Sequence, residues 1–128
     1  MKPKFNSSNP IYQQIIDMIK VLISKGEYAP GAKVSSVRDL AVEFGVNPNT
    51  VQRALAKLEE MGYMYTERTS GRYVTKDLEI IEQLKSETLA NIIEEFMIKM
   101  QTAGIDAQDV LAHLKVYIER IEKDEAAY

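Results

Sequence analysis

The stretch from residue 36 to residue 61 holds two helical patterns with only Gly45-Val46-Asn47 between them. Gly45 ends the first pattern, Asn47 is a suitable N-cap, and Pro48 occupies the first helical position of the second. A turn this short lets the following helix project from the domain, with its N-terminal residues exposed. This turn therefore limits the possible folds more than any other feature of the sequence.

The helices on either side of the turn have distinct faces. The first is predicted to begin at Ser36, with Asp39 three residues on in a capping-box-like arrangement. Its buried stripe consists of Val37, Leu40, Ala41 and Phe44. The second ends at Gly62, and its inward face consists of Val51, Ala54, Leu55, Leu58 and Met61. Its outward face consists of Asn49, Thr50, Gln52, Arg53, Ala56 and Lys57.

The flanking segments complete the order of elements. Asn9 as N-cap and Pro10 as the first helical residue predict an earlier helix that ends at Gly26. Beyond Gly62 the pattern alternates with period two, which predicts strands over residues 63–68 and 72–75 joined by Thr69-Ser70-Gly71. Two helices fill the rest, one over residues 78–103 and one that begins at Asp106. The predicted fold class is mainly α with a small β wing.

Charge is divided unevenly along the 128 residues. Residues 1–76 carry a net charge of +4 and residues 77–128 carry −7, within a total of −3. Such a division is typical of two tasks in one chain, although a chance partition of surface charge is the plainer alternative. We therefore predict a domain over residues 1–76 and a separate tail over residues 77–128.

The composition argues against several classes of protein. Cysteine is absent, which excludes disulfides and cysteine-based zinc folds, and the single histidine, His113, argues against a histidine metal site or a Ser-His-Asp triad. No glycine-rich phosphate loop or nucleophile beside a base is present, so we expect no cofactor, no metal and no enzymatic activity. No apolar run approaches the length of a membrane span, so we expect a soluble, cytoplasmic protein.

Helix, short helix, three-residue turn, helix and hairpin together form the layout of a winged helix-turn-helix. In that layout the start of the third helix reaches base edges in the major groove, where Asn49, Thr50, Gln52 and Arg53 offer suitable hydrogen-bonding groups. Arg68 and Arg72 of the hairpin can lie along the DNA backbone or enter the minor groove. Two alternatives stay open: an ion pair between Arg38 and an acid such as Glu43, and an ordinary solvated face at Gln52 and Arg53.

Several motifs follow one another in a specific order. They are Pro10-Ile11-Tyr12-Gln13-Gln14-Ile15, Gly26-Glu27-Tyr28-Ala29-Pro30-Gly31-Ala32-Lys33-Val34, Ser36-Val37-Arg38-Asp39-Leu40-Ala41 and Gly45-Val46-Asn47-Pro48-Asn49-Thr50-Val51-Gln52-Arg53-Ala54-Leu55. Over about residues 10–75 the chain resembles the GntR family of bacterial transcription regulators. Its short rear half resembles the YtrA-type subfamily, whose helical tail is taken to serve dimerisation.

The resemblance implies roles for particular residues. It implies DNA contacts by the second helix, by the start of the recognition helix and by the wing glycine. With the two hairpin arginines, the predicted DNA-binding set is Ser36, Arg38, Asn47, Asn49, Thr50, Gln52, Arg53, Arg68, Gly71 and Arg72. The chain departs from the family pattern at Ser35, usually proline, at Thr69, usually the first wing glycine, and at Pro48, where some members place a base-reading arginine.

The rear helices cannot bury their apolar seams alone, because a strip about 39 Å long needs a facing partner. A two-fold dimer supplies one and also presents two recognition helices to a pseudo-palindromic site. A small intramolecular bundle is the alternative. The predicted dimerisation residues are Ile81, Leu89, Ile92, Phe96, Met100, Leu114, Ile118 and Ile121.

These observations predict a sequence-specific transcription regulator, expected to be a repressor. Its partners would be double-stranded DNA and a second copy of itself, with an unidentified small-molecule effector left open and no membrane. The alternative is a winged-helix module that binds proteins and does not read DNA. That alternative requires an acidic or apolar outward face on the third helix, which Asn49, Gln52 and Arg53 do not provide.

Overall fold

The computed structural model describes residues 3–126 as five helices and one two-stranded sheet. In chain order these are α1 Ile11–Ser24, α2 Val37–Phe44, α3 Pro48–Glu60, β1 Met64–Glu67, β2 Gly71–Val74, α4 Leu78–Thr102 and α5 Ala107–Ala126. This order confirms the predicted fold class, mainly helical with a small β wing. Each boundary lies within a few residues of its predicted position.

The turn between α2 and α3 has the caps that the sequence predicts. The Ser36 hydroxyl accepts a hydrogen bond from the Asp39 backbone N–H at 3.1 Å, and Gly45 closes α2 with φ of 69°. The Asn47 side chain accepts from the Asn49 backbone N–H at 2.8 Å, and Pro48 follows as the first residue of α3. These caps satisfy backbone groups that a helix leaves unpaired at its ends. They fix the point at which α3 leaves the turn.

The start of α1 differs from the prediction. Pro10, with φ of −55° and ψ of 141°, is the N-cap, and Ile11 is the first helical residue. Asn9 does not cap the helix; its carbonyl instead accepts a hydrogen bond from the Gln14 side chain at 2.8 Å. The prediction was wrong by one residue because the fixed φ of proline suits the N-cap as well as the first helical position.

The sheet is an antiparallel hairpin in which Met64 pairs with Val74 and Glu67 pairs with Gly71. A third segment joins its second edge: the Val34 N–H donates to the Arg72 carbonyl, and the Val74 N–H donates to the Ala32 carbonyl, both at 2.9 Å. The hairpin is therefore tied along β2 to the loop that precedes α2.

The chain forms two compact units, one up to Thr88 and one from Leu89 onward, called here the first and second units. The first unit has a hydrophobic core to which α1, α2, α3, the hairpin and the first turns of α4 contribute. Its buried members are Ile15, Ile16, Ile19, Ile23, Val34, Leu40, Ala41, Phe44, Val51, Ala54, Leu55, Leu58, Met64, Val74, Ile81 and Leu84. Compact packing thus extends beyond residue 76, where the predicted functional division lies.

The second unit has almost no core of its own. Among its described residues, 89–126, only Val110 is buried. Eleven of its large hydrophobic side chains are exposed, namely Leu89, Ile92, Ile93, Ile98, Ile105, Leu111, Leu114, Val116, Tyr117, Ile118 and Ile121. Despite these apolar residues, no helix in residues 3–126 is both long and hydrophobic enough to cross a membrane.

Candidate nucleic-acid interface

The start of α3 exposes most of the polar residues that the sequence predicts to read DNA. Its buried side consists of Val51, Ala54, Leu55 and Leu58, each at most 1% exposed. Asn49, Gln52 and Arg53 are exposed and Thr50 is half-buried. Because the Asn47 side chain already accepts the Asn49 N–H, its amide N–H₂ is the group left for a phosphate or a base.

The start of α2 presents a hydroxyl and a cation. Ser36 caps the helix through its hydroxyl oxygen, which leaves the hydroxyl proton available to donate to an anion. Arg38, one residue into α2, is exposed, and it forms no ion pair with any residue in the range 3–126. The alternative of an Arg38–Glu43 pair is therefore not what the structure contains.

The turn of the hairpin carries Arg68, Thr69 and Ser70, all exposed. Gly71 has φ of 118°, a region that favours glycine, and a Cβ there would lie 3.4 Å from Cε of Lys33. A larger residue at this position would be strained by its backbone, whatever space is available. Glycine is thus suited to this position by its backbone conformation.

Arg72 is placed differently from Arg68. Its Nε lies 3.4 Å from the Glu59 carboxylate on α3, and its side chain is only 18% exposed. This pair links the wing to the helix that precedes it. The guanidinium has five N–H groups, so the others stay available for a phosphate, but the side chain is positioned by Glu59 first.

A cleft of about 360 Å³ lies between the wing and the start of α2. Its polar and cationic walls include Lys33, Ser35, Ser36 and Arg72. Hydroxyl groups, two cations and the N-terminal end of a helix form a suitable environment for a phosphate. Lys33 was not predicted from the sequence. The feature that could have indicated it is its position just before Val34, in the segment that pairs with the hairpin.

Sequence reasoning also passed over Tyr12 at the start of α1. The Arg53 guanidinium lies over the Tyr12 ring, with Cζ 3.7 Å from the ring centroid. This separation is that of a stacked cation–π contact. No spacing rule within one helix could have predicted it, because Tyr12 and Arg53 belong to different helices.

Two tyrosines of the first unit have a raised side-chain pKa. Burial raises the pKa of Tyr28, with a further contribution from the Glu43 carboxylate, and burial raises the pKa of Tyr63, with a further contribution from Glu87. Both phenols therefore stay protonated at neutral pH. Neither belongs to the predicted DNA-binding set.

The residues predicted to mediate dimerisation fall into two groups. Ile81 is 8% exposed and lies within the core of the first unit, so its side chain already packs against its own chain. Its role in dimerisation stays a prediction, and the helical period alone could not show that its side chain joins the core of the first unit. The others belong to the second unit, where Leu89, Ile92, Leu114, Ile118 and Ile121 are exposed and Phe96 and Met100 are half-buried.

Helices α4 and α5 form a cleft of about 740 Å³ within the second unit. Phe96, Met100, Leu114 and Tyr117 supply apolar walls, and Arg120 and Asp109 supply charge. Because only Val110 is buried nearby, this cleft is part of the same exposed apolar surface rather than an enclosed cavity.

The chain is similar to known transcription regulators along most of its length. Residues 11–74 match the family described as "Bacterial regulatory proteins, gntR family". The HTH-type transcriptional regulator YhcF of Bacillus subtilis is 35% identical over 93% of this chain and 98% of its own. The HTH-type transcriptional repressor YtrA of the same organism is 35% identical over 92% of this chain and 88% of its own.

Solved structures agree with the sequence comparisons. A GntR family transcriptional regulator from Listeria monocytogenes superimposes with a TM-score of 0.79 at 42% identity, over 87% of this chain and 97% of its own. The DNA-binding domain of AraR in complex with its operator ORE1 superimposes with a TM-score of 0.51 at 26% identity, over 59% of this chain and 93% of its own.

Proposed function

The chain belongs to the GntR family of DNA-binding transcription regulators, in its YtrA-type subfamily, and we propose that it represses transcription as a homodimer on a pseudo-palindromic site. DNA binding is the property of the family. Repression, the homodimer and the roles of single residues are the parts proposed for this chain. YtrA of Bacillus subtilis, named a transcriptional repressor, supports the first of these.

The exposed apolar surface of the second unit is the observation that carries the homodimer. Eleven large hydrophobic side chains are exposed among residues 89–126, where only Val110 is buried. Exposed apolar side chains in this number and with so little buried beside them favour an interaction site over an ordinary solvated face. A second copy is the favoured partner, because a two-fold interface matches like surfaces and places two DNA-reading helices for two half-sites.

We assign base reading to Asn49, Thr50, Gln52 and Arg53 of α3, and backbone contact to Ser36, Arg38, Asn47, Arg68, Gly71 and Arg72. The proposal gives residues 1–76 the DNA-binding task and residues 77–128 the dimerisation task. It includes no enzymatic activity, since the similar proteins are named as regulators. The proposal also places the protein in the cytoplasm, together with the DNA that it binds. A small-molecule effector stays a prediction, to be sought in the cleft beside Phe96 and Tyr117.

The experiment starts from a randomised duplex pool, from which purified protein selects its preferred sequence. We expect an inverted repeat, bound by two subunits and held more tightly than a scrambled duplex. Affinity should fall steeply with salt, because phosphate contacts release counterions. Transcription from a promoter that overlaps the selected site should decrease when the protein is added. A selected sequence without dyad symmetry, bound by one subunit, would contradict the homodimer, and increased transcription would contradict repression.

Arg53→Ala and Arg68→Ala form a matched pair for the residue roles. Loss of a base contact at Arg53 should weaken binding to the selected duplex by about 1–3 kcal/mol and relax preference at one base pair. Loss of a phosphate contact at Arg68 should weaken binding to all duplexes alike and lower the salt slope by about one. Titrations of both variants at two salt concentrations measure these effects. The assignment fails if Arg53→Ala leaves site preference unchanged.

A further inference from the structure

The contact between Arg53 and Tyr12 is closer than the other cation–aromatic contacts of the described residues. Cζ of Arg53 lies 3.7 Å from the Tyr12 ring centroid, whereas Lys20 lies 5.7 Å from that of Tyr63 and Lys76 lies 5.9 Å from that of Tyr65. Only the first pair is in direct stacking contact.

Tyr12 is a fixed support for this contact. It is the second residue of α1, and its half-buried side chain packs against the core of the first unit. The same helix buries Ile15 and Ile16 completely, and α1 packs directly on α3. The position of the ring is therefore set by the core rather than by the arginine that lies on it.

Stacking leaves the charge of Arg53 available. The acids on the same helix have other partners, since Glu59 pairs with Arg72 at 3.4 Å and Glu60 pairs with Lys57 at 3.5 Å. Arg53 forms no ion pair within residues 3–126. An aromatic ring covers the face of the guanidinium but uses none of the N–H groups along its edge. Those groups stay able to donate to DNA.

We propose that Tyr12 is a positioning residue for DNA recognition, which holds the Arg53 guanidinium by its face so that its edge N–H groups are ordered before DNA binds. The inference rests on the proposed role of Arg53. An arginine side chain loses considerable rotamer freedom when it binds, and a contact formed in the free protein reduces that loss. Tyr12 thereby contributes to recognition without itself reading a base.

The test is a double-mutant cycle in the full-length protein, measured on the selected duplex and on its scrambled form. Tyr12→Leu should bind the selected duplex about two- to five-fold more weakly, the value of an exposed cation–π contact. Tyr12→Phe should recover the wild-type affinity, because it keeps the ring. Tyr12→Leu should have no further effect when combined with Arg53→Ala, because the ring acts only through that arginine.

Tyr63→Leu is the matched control, since Tyr63 is also half-buried against the same core but lies near Lys20. Any loss of affinity that Tyr63→Leu causes should be independent of Arg53→Ala, so that the double variant shows the product of the two fold-changes. Arg53→Lys, at an exposed position that does not threaten folding, keeps the charge without the planar group and should weaken binding by at least two- to five-fold, because the stacking and the planar fork that reads the base are lost together. Circular dichroism melts establish that each variant is folded at the binding temperature.

Three results overturn the inference. Independent, multiplying losses for Tyr12→Leu and Arg53→Ala would show that Tyr12 does not act through Arg53. A Tyr12→Phe protein as weak as Tyr12→Leu would assign the effect to the hydroxyl. Unchanged affinity in Arg53→Lys would show that stacking is dispensable. Equal binding of wild-type protein to selected and scrambled duplexes is a separate result, because it removes the proposed function and this inference together.

Discussion

The two units of the chain differ in how far their apolar side chains are buried. In the first unit sixteen hydrophobic residues are buried in one core, and four large ones, Ile11, Val21, Val42 and Leu78, are exposed. In the described part of the second unit one residue is buried and eleven large hydrophobics are exposed. The first unit thus has what a folded domain needs, whereas the second has an exposed apolar surface, which we propose is covered by a second copy.

The two proposed tasks of the protein are therefore stabilised in different ways. The polar residues proposed to face DNA rest on a core within one chain, so we expect their geometry not to depend on a second copy. The proposed dimerisation residues are completed only by association. A change in the first unit should therefore act at every protein concentration, and a change in the second should act through mass action.

The largest effect is expected from a chain that ends at Thr88. The first unit should stay folded, because its core lies entirely within it. Binding to the selected duplex should fall about 10²- to 10⁴-fold, since two half-sites are no longer occupied by linked units. Circular dichroism, sedimentation and duplex titration measure folding, mass and affinity. An unfolded shortened chain would contradict a self-contained first unit. A shortened chain that binds as tightly as the full chain would contradict the proposed role of the second unit.

Leu55→Ala tests the first unit at a residue that is 1% exposed. Removal of a buried leucine side chain should lower the free energy of unfolding by about 2–5 kcal/mol, because apolar contacts are lost and a cavity is left. The loss should be the same in dilute and concentrated protein. Thermal and urea unfolding at several protein concentrations provide the measurement, and a loss that disappears at high concentration would contradict a self-contained core.

Leu114→Ala makes the same change in the second unit, where the side chain is 37% exposed in the single chain. We expect a smaller loss of about 1 kcal/mol per subunit, as for a contributing interface residue. The loss of stability should depend on protein concentration, because dimer formation stabilises the folded state by mass action. Sedimentation equilibrium should show a weaker dimer. A loss independent of concentration would favour a core within one chain.

Local rules predicted most of the first unit. Ser36, Gly45, Asn47 and Pro48 predicted the boundaries of α2 and α3, because capping depends on a few neighbouring residues. The same rules were wrong by one residue at Asn9, where proline satisfies two neighbouring positions equally well. The polar face of α3 followed from its period, since four of the five residues predicted for its inward face are buried and the fifth, Met61, is half-buried.

Contacts between distant parts of the sequence were not predictable. The stacking of Arg53 on Tyr12, the Arg72–Glu59 pair and the approach of Lys33 to Gly71 each join different elements. Periodicity places a residue on a face but does not specify what faces it. Ile81 shows the same limit, because its helical spacing grouped it with the apolar residues of the rear helices although its side chain lies in the core of the first unit.

If the exposed apolar surface of the second unit forms the proposed homodimer, promoter occupancy depends steeply on the concentration of this protein. Below the dissociation constant of a homodimer, the number of dimers rises with the square of the monomer concentration. A two-fold dilution, as when a cell doubles its volume without new synthesis of the protein, then lowers the dimer concentration to about one quarter. The proposed homodimer would therefore sharpen the response of the promoter, so that a modest change in protein supply would change transcription more steeply than a monomer could.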